Sequence, residues 1–397
     1  MVNSRNFSKG YYVFLIVFLG MLSAFGPFIT DMYLPTLPSM AEIFKTTATK
    51  VQMGLSTSMF GLAFGQIFFG PLSDKYGRKS ILLSALVIFA ISTIASVYSP
   101  TIDFFNICRF LQGLGGAGGI VMSRSIATDC YTGKDLAKTM AIIGAINGVA
   151  PVTAPVVGGL VAESLGWQGI FWILFAIGVV LIGMSFPFNE SLEKDLRHKG
   201  KISGLLKSFP LLFKLKGFRL WSLAFAFSYG VLFAYISSSA FIIQDYYGYS
   251  ELWFAVIFAI NSVGTTIGAA LALKFKKLCN AALCGCTGIF VSAILQLIFY
   301  FTIDNFYVFE ILTFFILTFL GFIFTSVSSI SMDEGRKYIG AAAAVLGAGG
   351  FLFGGIISPI VGLGNIMTTS VIIFITCSSV SLLFTILGIK ATENRIK

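Results

Sequence analysis

The feature that most restricts this chain is the alternation of long apolar runs with short loops whose positive charge falls almost entirely on one side. A helix needs about 20 mostly apolar residues to cross the hydrocarbon core of a bilayer. Runs of that kind, bounded by charges, Pro and Gly, fall near 11–37, 51–70, 80–98, 103–125, 139–162, 166–187, 218–243, 252–273, 279–301, 305–327, 339–361 and 366–389. Numbered in chain order they are spans 1 to 12. Of the 27 Lys and Arg residues, 24 lie before span 1 or in, or at the edges of, the loops after even-numbered spans. Lys45 and Lys50 lie on the opposite face, and Arg109 lies inside span 4. Basic loops stay in the cytoplasm, so both termini are expected there. A miscounted span would scramble this asymmetry.

Composition agrees. Only 11% of residues are charged and 56% are hydrophobic, with 42 Phe, whereas soluble domains carry about a quarter charged residues. The net charge of +10 therefore marks topology and contact with lipid, and no nucleic acid is needed to explain it. Cys108, Cys130, Cys279, Cys284, Cys286 and Cys377 lie mostly within apolar runs and read as small buried residues. The single histidine, His198, lies in a basic loop. Residues 1–24 have the outline of a signal peptide, but the apolar run continues to Phe28 and further spans follow, so they read as a retained first span.

Residues 188–217 form the longest polar segment. They divide the chain into a six-span bundle over 1–187 and a second over 218–397, with a basic cytoplasmic linker between. Ser125-Ile126-Ala127-Thr128-Asp129 matches Ser329-Ile330-Ser331-Met332-Asp333, and Ala154-Pro155-Val156-Val157-Gly158 matches Ser358-Pro359-Ile360-Val361-Gly362. Both matches have one offset, 204 residues. Six spans per half is even, so the halves share one orientation, as in parallel-repeat transporters with a central site. The expected fold class is an all-α integral membrane protein of twelve helices in two pseudo-symmetric bundles.

Four short motifs narrow this. After span 2 comes Gly70-Pro71-Leu72-Ser73-Asp74-Lys75-Tyr76-Gly77-Arg78-Lys79, which resembles the G-x-L-x-D-x-x-G-R-K loop of the major facilitator superfamily. Span 4 has Arg109-Phe110-Leu111-Gln112-Gly113-Leu114-Gly115, like that superfamily's R-x-x-Q-G-x-G. Span 5 has Pro151-Val152-Thr153-Ala154-Pro155-Val156-Val157-Gly158-Gly159, similar to its antiporter motif G-P-x-x-G-G with Ala154 in place of a Gly. Thr30-Asp31-Met32-Tyr33-Leu34-Pro35-Thr36-Leu37-Pro38 resembles the T-D-M-Y-L-P-A-L-P signature of the Bcr/CflA drug-resistance subfamily of twelve-span drug:proton antiporters. The span count and symmetry extend the resemblance over the whole chain, while the motifs lie in the first half.

An ionisable group inside a span costs several kcal/mol, so it needs a partner or a wet cavity. Asp31 precedes Pro38 by seven residues, and Arg109 follows Pro100 by nine. At 1.5 Å per residue both lie roughly 10–13 Å below the outer ends of their helices. They meet if spans 1 and 4 are neighbours, as the resemblance implies. Gln112 shares the face of Arg109 one turn deeper. Two readings of the pair are open: a fixed structural ion pair, or a proton-carrying Asp31 with Arg109 as its exchangeable partner. Some relatives carry a second carboxylate two turns before this aspartate, where this chain has Ser23. With one acid in the cavity region, the expected exchange is one proton against neutral or zwitterionic cargo.

The loop motif is either a solvated topogenic turn or a gate. As a gate, Asp74 faces the positive end of span 11 and Arg78 pairs with Asp129; the resemblance implies that such contacts latch the halves. Pro151 and Pro155 remove backbone donors, and Gly158-Gly159 permit close packing, so span 5 is expected to be kinked. Tyr33, Asn147, Tyr235 and Asn261 are the remaining candidates to line a cavity, and Gln296 is a further polar group in a span. The second-half counterpart of Arg109 is Thr313, so the charge chemistry is expected in the first half.

The reading is a proton-coupled efflux antiporter in the bacterial inner membrane, monomeric, working on small amphipathic molecules in contact with lipid and needing no cofactor beyond protons. A symporter or a dedicated metabolite exporter on the same fold is the alternative. A membrane lipid-modifying enzyme is the remote one: the chain has one His and no H-E-x-x-H or nucleotide-binding loop.

Overall fold

The computed structural model describes residues 8–197 and 208–396. The His198 loop and most of the expected linker, 198–207, lie outside the described residues. The first half begins with α1 (Lys9–Asp31), whose first turn is capped by the Ser8 hydroxyl accepting from Tyr11 N at 3.3 Å. A 3-10 turn (Leu34–Thr36) and α2 (Leu37–Ile43) follow, then α3 (Ala48–Tyr76), α4 (Arg78–Val97), α5 (Ile102–Cys130) and α6 (Gly133–Ser185). The second half holds α7 (Ser208–Phe213), α8 (Lys216–Phe241), α9 (Glu251–Ala272), α10 (Leu278–Thr302), α11 (Phe306–Glu334), α12 (Ile339–Val361) and α13 (Ile366–Ile396).

Ten of the described helices are long and apolar enough to cross a membrane. One of the ten covers most of α6, which turns at Gly166, where φ is +63°, and so supplies two arms. The twelfth is α5, whose hydropathy is diluted by five glycines between residues 113 and 119. Counted this way, the described residues hold twelve spans. Only Gly77, at φ +100°, separates α3 from α4; an L side chain is strained there, and glycine is not.

The described residues form two compact units, 8–36 with 57–197 and 37–56 with 208–396. In the first, α1 packs on α5 and α6, and α4 on the same two helices. In the second, α8 packs on α11, α12 and α13, α9 on α11, and α10 on α11 and α13. Residues 37–56 thus cluster with the second half rather than the first. Thr49 Oγ1 donates to Gly362 O at 2.7 Å and Gln52 Nε2 to Ser237 O at 3.0 Å. The repeat is visible in the element bounds: α5 and α11 start and end 204 residues apart, with N-caps Thr101 and Asn305 in register.

One expectation is corrected. Span 1 does not run unbroken to Leu37: the α-helix ends at Asp31 and resumes only after the 3-10 turn. Pro35 has no N–H to continue the ladder and disfavours helical geometry at Leu34.

Candidate functional site

The break in α1 sets up the first cluster. Ending a helix leaves its last carbonyls without intrahelical donors. One of them, Ile29 O, accepts from Arg109 Nη2 on α5 at 2.7 Å. The same nitrogen donates to Ser58 Oγ on α3 at 3.2 Å, and Nη1 donates to Gln112 Oε1. Gln112 Nε2 donates onward to Thr93 Oγ1 on α4 at 2.8 Å. The guanidinium carbon stands 4.2 Å from the Tyr33 ring centroid and 5.5 Å from that of Phe171. Arg109 is wholly buried, yet its charge is met by a helix C-terminus, two side-chain oxygens and two aromatic faces.

Asp31 is 5% exposed, and its Oδ1 has no hydrogen-bond partner. The fixed Asp31–Arg109 ion pair, one of the two readings, does not form in this structure; the guanidinium takes the freed Ile29 carbonyl and the Tyr33 ring instead. The depth estimate put both groups inside their spans, and both side chains are buried in the structure. It missed the helix break, which supplies an oxygen that competes with the carboxylate.

The span 5 motif touches this region. Gly158 is buried against the backbone of Met32, and a Cβ there would collide with Met32 O. Gly159 is buried beside it, and Pro151 and Pro155 lie in the same arm of α6. The motif is thus packed on the residue that follows Asp31. Two turns before Asp31, Ser23 Oγ on α1 accepts from Asn147 Nδ2.

At the other end of the first unit, the loop motif is fully engaged. Arg78 donates to Asp129 Oδ2 at 2.8 Å, Asp74 Oδ1 at 2.5 Å and Ser73 Oγ at 2.6 Å. Ser73 Oγ donates in turn to Gly70 O at 2.8 Å. Lys79 Nζ donates to Phe186 O and Phe188 O, each at 2.7 Å, just past the C-terminus of α6. The expected Arg78–Asp129 pair is present. Glu190, not singled out from the sequence, completes the cluster: it accepts from Arg78 N at 2.9 Å and Lys79 N at 3.2 Å, and so caps α4, whose N-cap Gly77 has no side chain. An acid directly after span 6, opposite a basic loop, was the signal for it.

The second unit has its own buried polar cluster. Asn261 Nδ2 on α9 donates to Tyr235 Oη on α8 at 3.0 Å and to Glu310 Oε1 on α11 at 2.6 Å. Gln296 Nε2 on α10 donates to Thr313 Oγ1 on α11 at 2.9 Å, one turn from Glu310. Two of these residues, Tyr235 and Asn261, were expected to matter; the structure brings them together around a carboxylate the sequence reading passed over. Asp31 is therefore not the only acid within the spans. Glu310 lies five residues past the N-cap Asn305, inside the stretch already read as span 10.

A multi-span helical protein with ionisable groups held inside its helices, built as two related halves, defines the class of secondary transporters. Residues 13–359 match the family model of the Major Facilitator Superfamily, and the chain belongs to that family. It is 33% identical to the MFS-type transporter YdgK of Bacillus subtilis (strain 168) over 93% of this chain and 94% of that one. It is 30% identical to a bicyclomycin resistance protein homolog of Haemophilus influenzae over 68% of each chain. The xylose transporter XylE of E. coli, in a partially occluded inward-open conformation, shares the fold with a TM-score of 0.73 at 14% identity, covering 95% of this chain and 97% of that one. The protein is a transporter, not an enzyme, from the drug-resistance branch of the family.

Proposed function

We propose that the chain exports small amphipathic neutral or zwitterionic compounds, of the antibiotic type named for its relatives, in exchange for protons. The observation that carries this is Asp31: a buried carboxyl with an unpartnered oxygen, at a helix break whose next turn supports a buried guanidinium. A group so placed takes up or releases a proton when hydration around the break changes. Arg109 is the ready counter-charge, since releasing Ile29 O frees it to meet the carboxylate. Moving one charge through 100 mV is worth about 2.3 kcal/mol, enough to drive accumulation against a gradient.

Tyr33, Gln112, Asn147, Tyr235 and Asn261 are the other groups that meet cargo in this reading. The Asp74, Arg78, Lys79 and Asp129 cluster, with Gly70 and Gly77 shaping its turn, acts as the cytoplasmic gate. Pro151, Pro155, Gly158 and Gly159 let span 5 move against span 1. The moving parts are the bundles 1–187 and 218–397 joined by the linker 188–217, and the protein works as a monomer in the inner membrane with both termini in the cytoplasm. Protons are the coupling ion, and no cofactor takes part.

The test is transport in proteoliposomes with an imposed pH gradient, comparing the native chain with Asp31→Asn. Substrate-driven proton release and uphill export should both vanish in the variant, while substrate exchange without a gradient persists. Unchanged proton release would sink the assignment.

A further inference from the structure

The second copy of the span 5 motif has no part in the mechanism above. Pro155-Val156-Val157-Gly158 recurs 204 residues on as Pro359-Ile360-Val361-Gly362. In the first unit, Gly158 makes room for Met32 O at the broken end of span 1. In the second, Gly362 ends α12, and a helix end leaves carbonyls without intrahelical donors. Gly362 O is met by Thr49 Oγ1 at 2.7 Å, from the first turn of α3. A Cβ on Gly362 would stand 2.9 Å from Thr49 Cα and would collide with Gln52 Oε1. The φ of Gly362 is −82°, open to any L residue, so the glycine serves space and not conformation. Gln52 is wholly buried, and its Nε2 donates to Ser237 O on α8 at 3.0 Å.

Helix α3 is divided between the two units: residues 48–56 cluster with the second and 57–76 with the first. Its later part is keyed to α5, backbone against backbone. A Cβ on Gly61 would strike Phe110 O, one on Gly113 would strike Ser58 O, and one on Gly65 would stand 2.8 Å from Leu114 O. Small residues allow so close an approach, and it leaves no slack. The early part is held by two side-chain hydrogen bonds and one glycine seat. Alternating access rocks one bundle against the other, and a helix cannot lengthen to keep both attachments. The early attachment is the weaker, so it is the one that lets go.

We propose that residues 359–362 form an outer latch. They seat the start of α3 through Thr49 and Gln52 while the outer side is closed, and release it when that side opens. The seat lies at the end of α3 away from the Arg78 cluster, the outer end in the orientation proposed above. Thr49, Gln52 and Gly362 are positioning residues. The inference rests on membership of a transporter family, and not on the cargo or the coupling ion.

The experiment uses the purified full chain in nanodiscs and follows Val51, fully buried in the early part of α3, as Val51→Cys. The rate of maleimide labelling at that position, read by peptide mass, reports release from the seat. Gly362→Ala should raise the rate about fivefold. Gly364→Ala, where a Cβ meets only Thr369 Oγ1 at 3.5 Å, should leave it unchanged. Thr49→Val and Gln52→Leu each remove one donor without adding bulk to the glycine and should each raise it about twofold. They keep the test open should the alanine variant fold poorly. Hydrogen exchange over residues 70–79, at the other end of α3, should slow severalfold in the same variants, because alternating access closes that end as the seat opens. Loosened packing alone does not slow exchange there. Labelling unchanged in Gly362→Ala, Thr49→Val and Gln52→Leu overturns the latch. So does an equal rise in Gly364→Ala, or exchange over 70–79 that fails to slow. Neither measurement uses cargo or a pH gradient, so the export reading can fail with the latch intact, and the reverse.

Discussion

The two halves place a charge one helical turn apart in the repeat and satisfy it in opposite ways. In the first, Arg109 on α5 is saturated: a helix end, Ser58, Gln112 and two rings surround it. In the second, Glu310 on α11 receives one amide donor and leaves an oxygen unmet. The neighbouring links are alike, Gln112 to Thr93 in the first half and Gln296 to Thr313 in the second. With the offset of 204, Thr313 stands where Arg109 stands and Glu310 where Asn106 stands. The repeat has kept the polar belt between neighbouring helices and moved the charge by one turn with a change of sign. The cation is held by every element around it, whereas the acid keeps one enclosed oxygen without a donor.

The comparison breaks most readily at Arg109. Arg109→Lys keeps the charge but not the planar fork that reaches three acceptors. Two buried acceptors left unmet at roughly 1–3 kcal/mol each should lower transport about 100-fold, and the melting temperature of the purified variant should fall with it. If Arg109→Lys melts and transports like the native chain, the anchor reading is wrong.

Asp31→Asn should come next. Uphill export measured in a pH gradient is lost, but folding is unaffected, because the carboxylate oxygen that changes has no partner to lose. This separates Asp31 from Arg109, whose loss damages both.

Gly158→Val probes the contact between span 5 and the break. The added side chain meets Met32 O, and overpacking of this kind costs about 1–3 kcal/mol. Transport should fall several-fold in whole-cell export assays, while the Arg78–Asp129 pair at the far end is untouched. The same change at Gly10, which has no close neighbour, should be silent.

The smallest effect is expected at Glu190. Glu190→Gln weakens the cap on α4, worth about 0.5–1 kcal/mol for a charge at a helix N-terminus, and should shift thermal stability slightly with no change in cargo affinity. A large loss of binding there would extend the functional region to the cytoplasmic end and blur the contrast between anchor and site.

Much of this was legible in the chain because its signals are local. Span positions follow from hydropathy, and orientation from basic residues counted loop by loop. Asp31 and Arg109 stand out because a charge in an apolar run is costly wherever it ends up. The same rule applied to Glu310 would have found it, but the residue lies close to the start of span 10, where an acid passes for part of the loop. The break at Asp31 was signalled by Pro35 and Pro38, two cues that were read as marking the outer end of a continuous helix.

The number, order and direction of the helices, and which of them carry ionisable groups, thus follow from the chain alone. Which groups meet follows from the packing of the helices. Arg109 is bonded to Ile29 O, 80 residues away, rather than to Asp31, and Asn261 links Tyr235 to Glu310 across three helices. Hydropathy is summed within a segment, so it survives any arrangement of neighbours. A hydrogen bond depends on the rotation of each helix about its axis and on where a proline ends one, which hydropathy does not encode.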